Sequence, residues 1–217
     1  AATFAKVGQV LFGEELPGAL PSKLLVAVDA FGFADDDVQQ ALVPAVERLA
    51  ALIGAREDVT LAPPGLSVWQ RAQRVLQSSE SWKTFEPWLN SCNPRMAFGV
   101  ARGLVQGSML TDAERGAAAL MRIEARARLR SLLPAGTILC LPTTPFPAPL
   151  RGLPNDVLGP LRDRISCLTS HGGLTGVPQV SIPGAMVNGA PVGLSVIAAR
   201  GADMELLRVA VGLSGRR

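Results

Sequence analysis

Hydrophobic positions along the chain follow two spacings, and each spacing predicts a different element. Residues 2–11 place apolar side chains every three or four positions, which predicts a helix. Residues 23–29 contain a continuous apolar run of strand length, typical of a strand covered on both faces. Residues 34–53 return to helical spacing, and residues 58–62 predict a second strand. A strand–helix–strand unit favours parallel pairing, so we predict an α/β domain.

The middle of the chain, residues 67–133, is predicted to be mainly helical. Thr111 and Glu114 have the spacing of a capping box, which predicts the start of a long helix that ends at Pro134. Four aromatic residues concentrate in this region, and we expect them to pack helices together rather than to stack on a ligand. They are Trp69, Trp82, Phe85 and Trp88.

The rest of the chain is organised around residues 164–183. A helical segment is predicted to break at Gly172-Gly173, and a buried strand is predicted over residues 179–182. The Asn188-Gly189 pair predicts a turn into another strand over residues 191–197. In an open α/β sheet, ligands are usually held in loops beyond the strand ends, so small polar residues here are candidate site residues.

The predicted fold class is α/β, specifically an α/β/α sandwich with a mixed sheet. Residues 137–141 supply one more buried strand, residues 155–160 are interpreted as a linker, and a helix from Ala202 closes the chain. We predict that residues 1–217 form a single domain. Hydrophobic residues make up 48% of the chain and charged residues 18%, a balance typical of globular proteins.

Charge and composition argue against several kinds of binding partner. The net charge of +3 is small and the basic residues are scattered, so we expect no nucleic-acid partner. No apolar run approaches the roughly 18 residues of a membrane span, so we expect no membrane partner, and no signal peptide is visible. The three separated cysteines favour a reducing, cytoplasmic location over a disulfide framework. The chain begins with Ala1-Ala2-Thr3, so we expect a fragment or a processed chain.

Cofactor and metal chemistry finds little support. The chain has no Walker-type loop and no GxGxxG motif after a strand, which argues against two phosphate-binding modes. It contains one histidine, and its cysteines lie far apart, so we predict no metal site and no cofactor.

Nucleophilic catalysis has one candidate pair, Cys167 and His171. Their spacing of four places them on one face of a continuous helix, where a thiol and its base could meet. We favour the alternative of a buried cysteine and a hydrogen-bonded histidine, because no acid is placed to orient the imidazole. The hydroxyl groups of Ser166, Thr169 and Ser170 also lack an adjacent base, and such residues more often cap helices or line pockets.

The segment after residue 141 is rich in proline. Four prolines among eight residues, 142–149, predict a rigid, extended loop that leaves a central strand. Such a loop could wall a pocket with Thr143, Thr144 and Phe146, or it could be a spacer.

Several of these stretches resemble the C-terminal region of the amidase signature family. Residues 168–184 resemble that family's L-T…N-L-x-G-x-P-x-x-S-x-P pattern, and residues 189–194 its G-x-P-V-G-L motif. Residues 201–207 resemble its Gly-x-Asp-x-x-Leu-Leu helix start, and residues 141–145 its L-P-T-x-P loop. Residues 179–183 and 143–145 are most similar to the indole-3-acetamide hydrolase type.

The resemblance implies amide hydrolysis by a Ser–cis-Ser–Lys triad. In that family the lysine is the base, the bridging serine relays the proton, and the second serine attacks the carbonyl. The chain has no Gly-Gly-Ser-Ser-Gly-Gly loop and no matching Lys–Ser pair, which normally lie in the preceding half of the domain. The resemblance therefore implies a partial domain that contains no catalytic residue, is inactive alone, and supplies scaffold and pocket walls.

The resemblance also implies which residues contact a small-molecule amide. Glutamine-using members have an aspartate where Ser166 stands, so a neutral or aromatic amide is the expected substrate. The predicted substrate-binding residues are Thr143, Thr144, Phe146, Ser166, Thr169, Ser170 and His171.

A different class of function remains open. The missing triad is also compatible with a catalytically inactive, amidase-like docking module. In either case we expect a missing N-terminal half or a partner chain, with a homodimer as a further option. A half-domain should expose an apolar sheet edge and a large hydrophobic face.

Overall fold

The computed structural model describes residues 1–214 and shows one mixed sheet with helices on both faces. The helices are α1 (Ala2–Phe12), α2 (Val28–Phe31), α3 (Asp36–Ile53), α4 (Leu66–Cys92), α5 (Phe98–Ser108), α6 (Asp112–Leu132), α7 (Asn155–Thr175) and α8 (Asp203–Ser214). The strands are β1 (Lys23–Ala27), β2 (Ala55–Val59), β3 (Thr137–Pro142), β4 (Gln179–Val187) and β5 (Ala190–Ile197). The predicted α/β/α sandwich with a mixed sheet is confirmed.

The five strands lie in the order β2-β1-β3-β5-β4. Strand β1 pairs in parallel with β2 and with β3, and the Lys23 Cα is in register with the Cα atoms of Ala55 and Thr137. Strand β5 is antiparallel to both β3 and β4, so it runs opposite to the other four strands. The parallel pairing that the β1–α3–β2 unit predicts is present.

Two hydrophobic layers cover the sheet. On one face, α4, α6 and α7 pack around Trp69, Leu129 and Leu168. On the other face, α3 and α8 pack around Leu42 and Leu206. All six residues of β3 are buried, because this central strand lies beneath helices on both sides. The end of β3 is therefore a rigid place from which side chains can be presented.

The second strand lies elsewhere than predicted. The sequence predicts residues 58–62, but β2 spans Ala55–Val59, and Leu61 and Ala62 lie in the loop that follows. The Asp29 carboxylate accepts hydrogen bonds from the backbone N–H groups of Leu61 and Ala62, at 2.8 and 2.9 Å. These two bonds turn the chain inward, so the apolar pair is buried without belonging to the strand. The strand itself is a polar edge whose first four residues are exposed.

Helix α7 corrects two further predictions. Residues 155–160 are its first turns and not a linker, because Pro160 is accommodated inside the helix near its N-terminal end. The break predicted at Gly172-Gly173 is also wrong, since the helix continues to Thr175 and ends at a left-handed Gly176, with φ 79°. Leu168 and Leu174 are fully buried, and their packing holds the two glycines in helical geometry.

The strand predicted as buried over residues 179–182 is the sheet edge β4, which is half-exposed and extends to Val187. The capping box on α6 is present: the Glu114 N–H donates to Thr111 Oγ1 at 3.2 Å, and the Thr111 N–H donates to Glu114 Oε2 at 2.8 Å. Of the four aromatic residues, Trp69 is buried in the core. Phe85 and Trp88 are each 48% exposed and lie on the side of α4 that faces α5.

Most of the exposed large apolar residues lie on helices. Helix α1 exposes Val10 and Leu11, and α5 exposes Phe98 and Val100. The outer edge of β2 is charged, whereas β4, the other edge strand, exposes Met186. None of the helices within residues 1–214 has the length and apolar character needed to cross a bilayer.

Asp29→Ala tests the inward turn after β2. The change leaves two backbone N–H groups at buried residues without acceptors, so we expect a loss of about 2–4 kcal/mol in the free energy of unfolding. Urea denaturation measures it. Glu47→Ala, at an exposed position of α3, is the control and should change stability by less than about 0.5 kcal/mol. Equal midpoints for the two variants would contradict this role for Asp29.

Candidate functional site

Three hydroxyl groups meet where β3 ends. Thr143 follows β3 directly, while Ser195 of β5 and Ser181 of β4 face each other in the antiparallel register. The Thr143 Oγ1 atom lies 2.8 Å from Ser181 Oγ and 2.9 Å from Ser195 Oγ. Ser195 is fully buried and Ser181 is exposed, so this hydroxyl cluster of Thr143, Ser181 and Ser195 opens to solvent at Ser181.

Gln179 completes the hydrogen bonding of the cluster. It lies two residues before Ser181, hence on the same face of β4, and its Nε2 atom donates to Ser195 Oγ at 2.8 Å. The side-chain amide cannot accept a proton, so it orients the Ser195 hydroxyl without activating it.

The cluster depends on a close backbone approach at Gly193. The Thr143 N–H donates to the Gly193 carbonyl at 2.9 Å, which brings the loop after β3 against β5. A Cβ atom at position 193 would lie 2.6 Å from Thr143 Oγ1 and 2.7 Å from Ser181 Oγ. Contacts this short are not tolerated, so any side chain here would push the hydroxyl groups apart.

The proline-rich loop is held by Arg164 of α7. Its guanidinium carbon lies 5.1 Å from the ring centroid of Phe146 and 5.8 Å from that of Phe33. The same group donates to Asp35 Oδ1 at 2.6 Å, at the start of α3. The Asp35 N–H in turn donates to the Pro145 carbonyl at 2.8 Å. This Arg164 clamp ties α7, the loop and α3 together, so the loop is a fixed wall.

Phe146 and Thr144, two of the predicted site residues, therefore serve the loop itself. Phe146 is buried beneath Arg164, and Thr144 Oγ1 donates to the Phe146 carbonyl at 2.9 Å. Of the three loop residues predicted to bind substrate, Thr143 is the one whose side chain joins the other strands.

The predicted site residues on α7 lie along its C-terminal half. The Thr169 hydroxyl donates to the Ile165 carbonyl at 3.3 Å, and the Ser170 hydroxyl donates to the Ser166 carbonyl. Both hydroxyl groups are thus turned back onto their own helix. Thr169 is exposed, Ser166 is half-buried, and Ser170 and His171 are buried. The described contacts do not join these four to the hydroxyl cluster through a direct hydrogen bond.

Cys167 and His171 do not form an activated pair. Burial raises the pKa of the Cys167 thiol, which disfavours the thiolate that attacks substrates. Burial also lowers the pKa of the His171 imidazole to about 4, a shift that the neighbouring Gln179 side chain partly opposes. Neither imidazole nitrogen has a well-formed hydrogen bond to any residue of the described chain. The pair is a protonated thiol and a neutral, buried imidazole.

Sequence reasoning missed Ser181, Ser195, Gln179 and Gly193. Gln179 and Ser181 have the period of two that places them on one face of a strand, and this signal was available. The pairing of Ser181 with Ser195 could not be predicted from the sequence, because it depends on a register irregularity at Gly184, between the hairpin turn and the cluster. Among residues 1–214, no group of histidine, cysteine or acidic side chains is arranged to hold a metal ion.

Comparison with known proteins finds relatives of the chain among curated sequences and solved structures. No family model matches the chain. The chain is 36% identical over 147 residues to Amidase 1 of Oryza sativa subsp. japonica, covering 67% of this chain and 34% of that protein. It is 28% identical to Amidase 1 of Arabidopsis thaliana, covering 98% of this chain and 57% of that protein.

Solved structures agree. A crystal structure of an amidase superposes with a TM-score of 0.80 at 27% identity, covering 98% of this chain and 50% of that chain. The chain belongs to the amidase signature family. A bacterial aryl acylamidase of the same family shares the fold, with a TM-score of 0.71 at 17% identity. The matched region of the chain covers 34% of the rice amidase and 57% of the Arabidopsis amidase, so the similarity extends over only part of each relative.

Gly193→Ala tests the close approach in this amidase-family chain. The added methyl group meets two hydroxyl oxygens, so we expect a loss of about 1–3 kcal/mol in the free energy of unfolding. Combining it with Thr143→Ala removes one of the clashing atoms and should recover part of the loss. Gly116→Ala, in open space on α6, is the control and should be stabilising by up to about 1 kcal/mol. Equal thermal unfolding midpoints for Gly193→Ala and Gly116→Ala would contradict the requirement for glycine at position 193.

His171 makes stability depend on pH. The pKa of a histidine in the unfolded chain is about 6.5, whereas burial lowers it to about 4 in the fold, so the unfolded state binds more protons between these values. Stability should fall as pH is lowered from about 6.5 to about 4, by an amount of the order of 3 kcal/mol.

His171→Leu removes this contribution. Urea titrations of both proteins between pH 4 and pH 7 measure it, and the difference between wild type and variant isolates this group because the chain has one histidine. Parallel pH profiles for the two proteins would show that the imidazole is not buried as a neutral group.

Proposed function

We propose that this chain supplies the scaffold and one pocket wall of an amidase that hydrolyses a small, neutral or aromatic amide to an acid and ammonia. The observation that carries the proposal is the hydroxyl cluster at the end of β3, in a chain that belongs to the amidase signature family. Its Thr143 and Ser181 hydroxyl groups offer both donors and acceptors to a primary amide, which has one carbonyl oxygen and an NH2 group with two N–H donors to satisfy.

The lack of charge at the cluster supports a neutral substrate. Thr143, Ser181, Ser195 and Gln179 are hydrogen-bonded to one another, and within the described residues none of their side chains hydrogen-bonds to a charged side chain. A substrate ammonium or carboxylate would lose its hydration here without gaining an opposite charge. Ser166, which replaces the aspartate of glutamine-using members, points in the same direction.

The attacking group is expected from a segment outside these 217 residues. A serine becomes a strong nucleophile when an adjacent base takes its proton. Ser195 instead contacts the Gln179 amide and the Thr143 hydroxyl, and Cys167 stays protonated. We therefore expect the family's Gly-Gly-Ser-Ser-Gly-Gly loop and its lysine in the rest of the native protein, with this chain alone inactive.

Ammonia release tests the proposal. The native protein is assayed on indole-3-acetamide and on simple aryl amides, beside its Thr143→Val and Ser181→Ala variants. Each variant removes a hydrogen bond to substrate, so we expect kcat/KM to fall about tenfold. Cys167→Ala is the control and should keep wild-type kcat/KM, because the thiol has no part in the pocket.

Two results would overturn the proposal. Absence of ammonia release from every amide would favour the docking-module alternative. Turnover by residues 1–217 alone that is lost in Cys167→Ala would return catalysis to the Cys167–His171 pair.

A further inference from the structure

A cavity of about 230 Å³ lies away from the hydroxyl cluster, toward the start of β3. It is bounded by the last turns of α6, the end of α7 and the segment after β5. These elements meet where β3 begins, whereas Thr143 directly follows the other end of β3. The cavity shares no lining residue with the hydroxyl cluster.

Three arginines line this cavity and no acidic residue does. They are Arg126 and Arg130, one turn apart on α6, and Arg200 after β5. Within residues 1–214, none of the three forms an ion pair. Like charges at a spacing of four destabilise a helix unless something neutralises them, so the arrangement favours an anion.

Arg126 shows this need most directly. Its Nε atom is buried and has no hydrogen-bond partner in the described chain. A buried donor left unpaired is costly, and an N–H group of a guanidinium is satisfied well by a carboxylate or phosphate oxygen. Arg200 lies beside the end of α7, since a Cβ on Gly176 would be 3.4 Å from Arg200 Nε. The helix terminus carries only about half a negative charge, so it leaves the cluster cationic.

Apart from Thr175, the remaining walls are apolar. Leu129 of α6 and Leu133, directly after that helix, are almost fully buried, and Val177 is buried as well. A bare inorganic anion would leave these surfaces uncovered, whereas a ligand with an apolar body would fill them. The volume is below the roughly 300 Å³ of pockets for drug-sized ligands, so it suits a single ring or a short chain.

We propose that this cavity is a binding site for a small carboxylate with an apolar body, such as a one-ring aromatic acid. The carboxylate lies between Arg126, Arg130 and Arg200, and the apolar body packs on Leu129, Leu133 and Val177. The site is separate from the amide pocket and does not depend on hydrolytic activity.

Calorimetric titration of the native protein with benzoate at low ionic strength tests the site. We expect saturable binding of one benzoate per chain, weaker binding of inorganic phosphate, and none of benzyl alcohol, which keeps the ring and lacks the charge. The Arg126→Gln, Arg130→Gln double variant should bind benzoate at least about tenfold more weakly. Arg122→Gln, on the same helix but directed at Glu80, should bind like wild type. Thr143→Val should also bind like wild type, because it alters the other end of the sheet.

Three outcomes overturn the proposal. The first is equal binding of benzoate and benzyl alcohol, and the second is unchanged benzoate affinity in the double variant. The third is a native protein that takes up no benzoate while the double variant unfolds at lower temperature. That result would mean that the arginines form ion pairs with a carboxylate side chain from another segment of the native protein. Circular dichroism of each variant confirms that a lost signal does not come from a lost fold.

Discussion

A one-residue bulge in the β4–β5 hairpin determines which side chains meet at the end of β3. Near the turn, Val187 pairs with Ala190, and this register would place Ser181 opposite Val196. The irregularity between Pro183 and Ala185 shifts the pairing by one residue, so Ser181 faces Ser195 instead. Gly184 permits it, because a Cβ there would overlap a Leu42 side-chain methyl group on α3. Packing of α3 on one face of the sheet thus selects the polar contacts at its end.

The elements that the sequence predicts well are those with local causes. The capping box at Thr111 and the helical spacing of α1 and α3 depend on neighbours within a few residues, and all are present. The errors have distant causes. Gly172-Gly173 stays helical because the C-terminal half of α7 is packed in the core, and Leu61 leaves the strand because Asp29, 32 residues earlier, accepts its N–H. The hydroxyl cluster belongs to this second group, since it requires the register of three strands.

Rigidity around the cluster comes from contacts of two kinds. The Arg164 clamp combines an ion pair at the surface with two ring contacts, and each alone contributes about 1 kcal/mol or less. Together they join three elements, so the loop from Pro142 to Pro149 does not have to be ordered when a ligand binds. On the other side, Gln179 fixes the Ser195 hydroxyl. Substrate contacts made by Thr143 would therefore cost little conformational entropy.

The two ends of the sheet differ in charge, and this difference should sort their ligands. The hydroxyl end holds neutral donors and acceptors, and the histidine near it stays neutral because burial lowers its pKa to about 4. The arginine end holds three guanidinium groups around apolar walls. Hydrolysis of an amide turns a neutral group into a carboxylate, which is disfavoured by the first environment and favoured by the second. An amide and the acid formed from it should therefore select opposite ends of the same sheet.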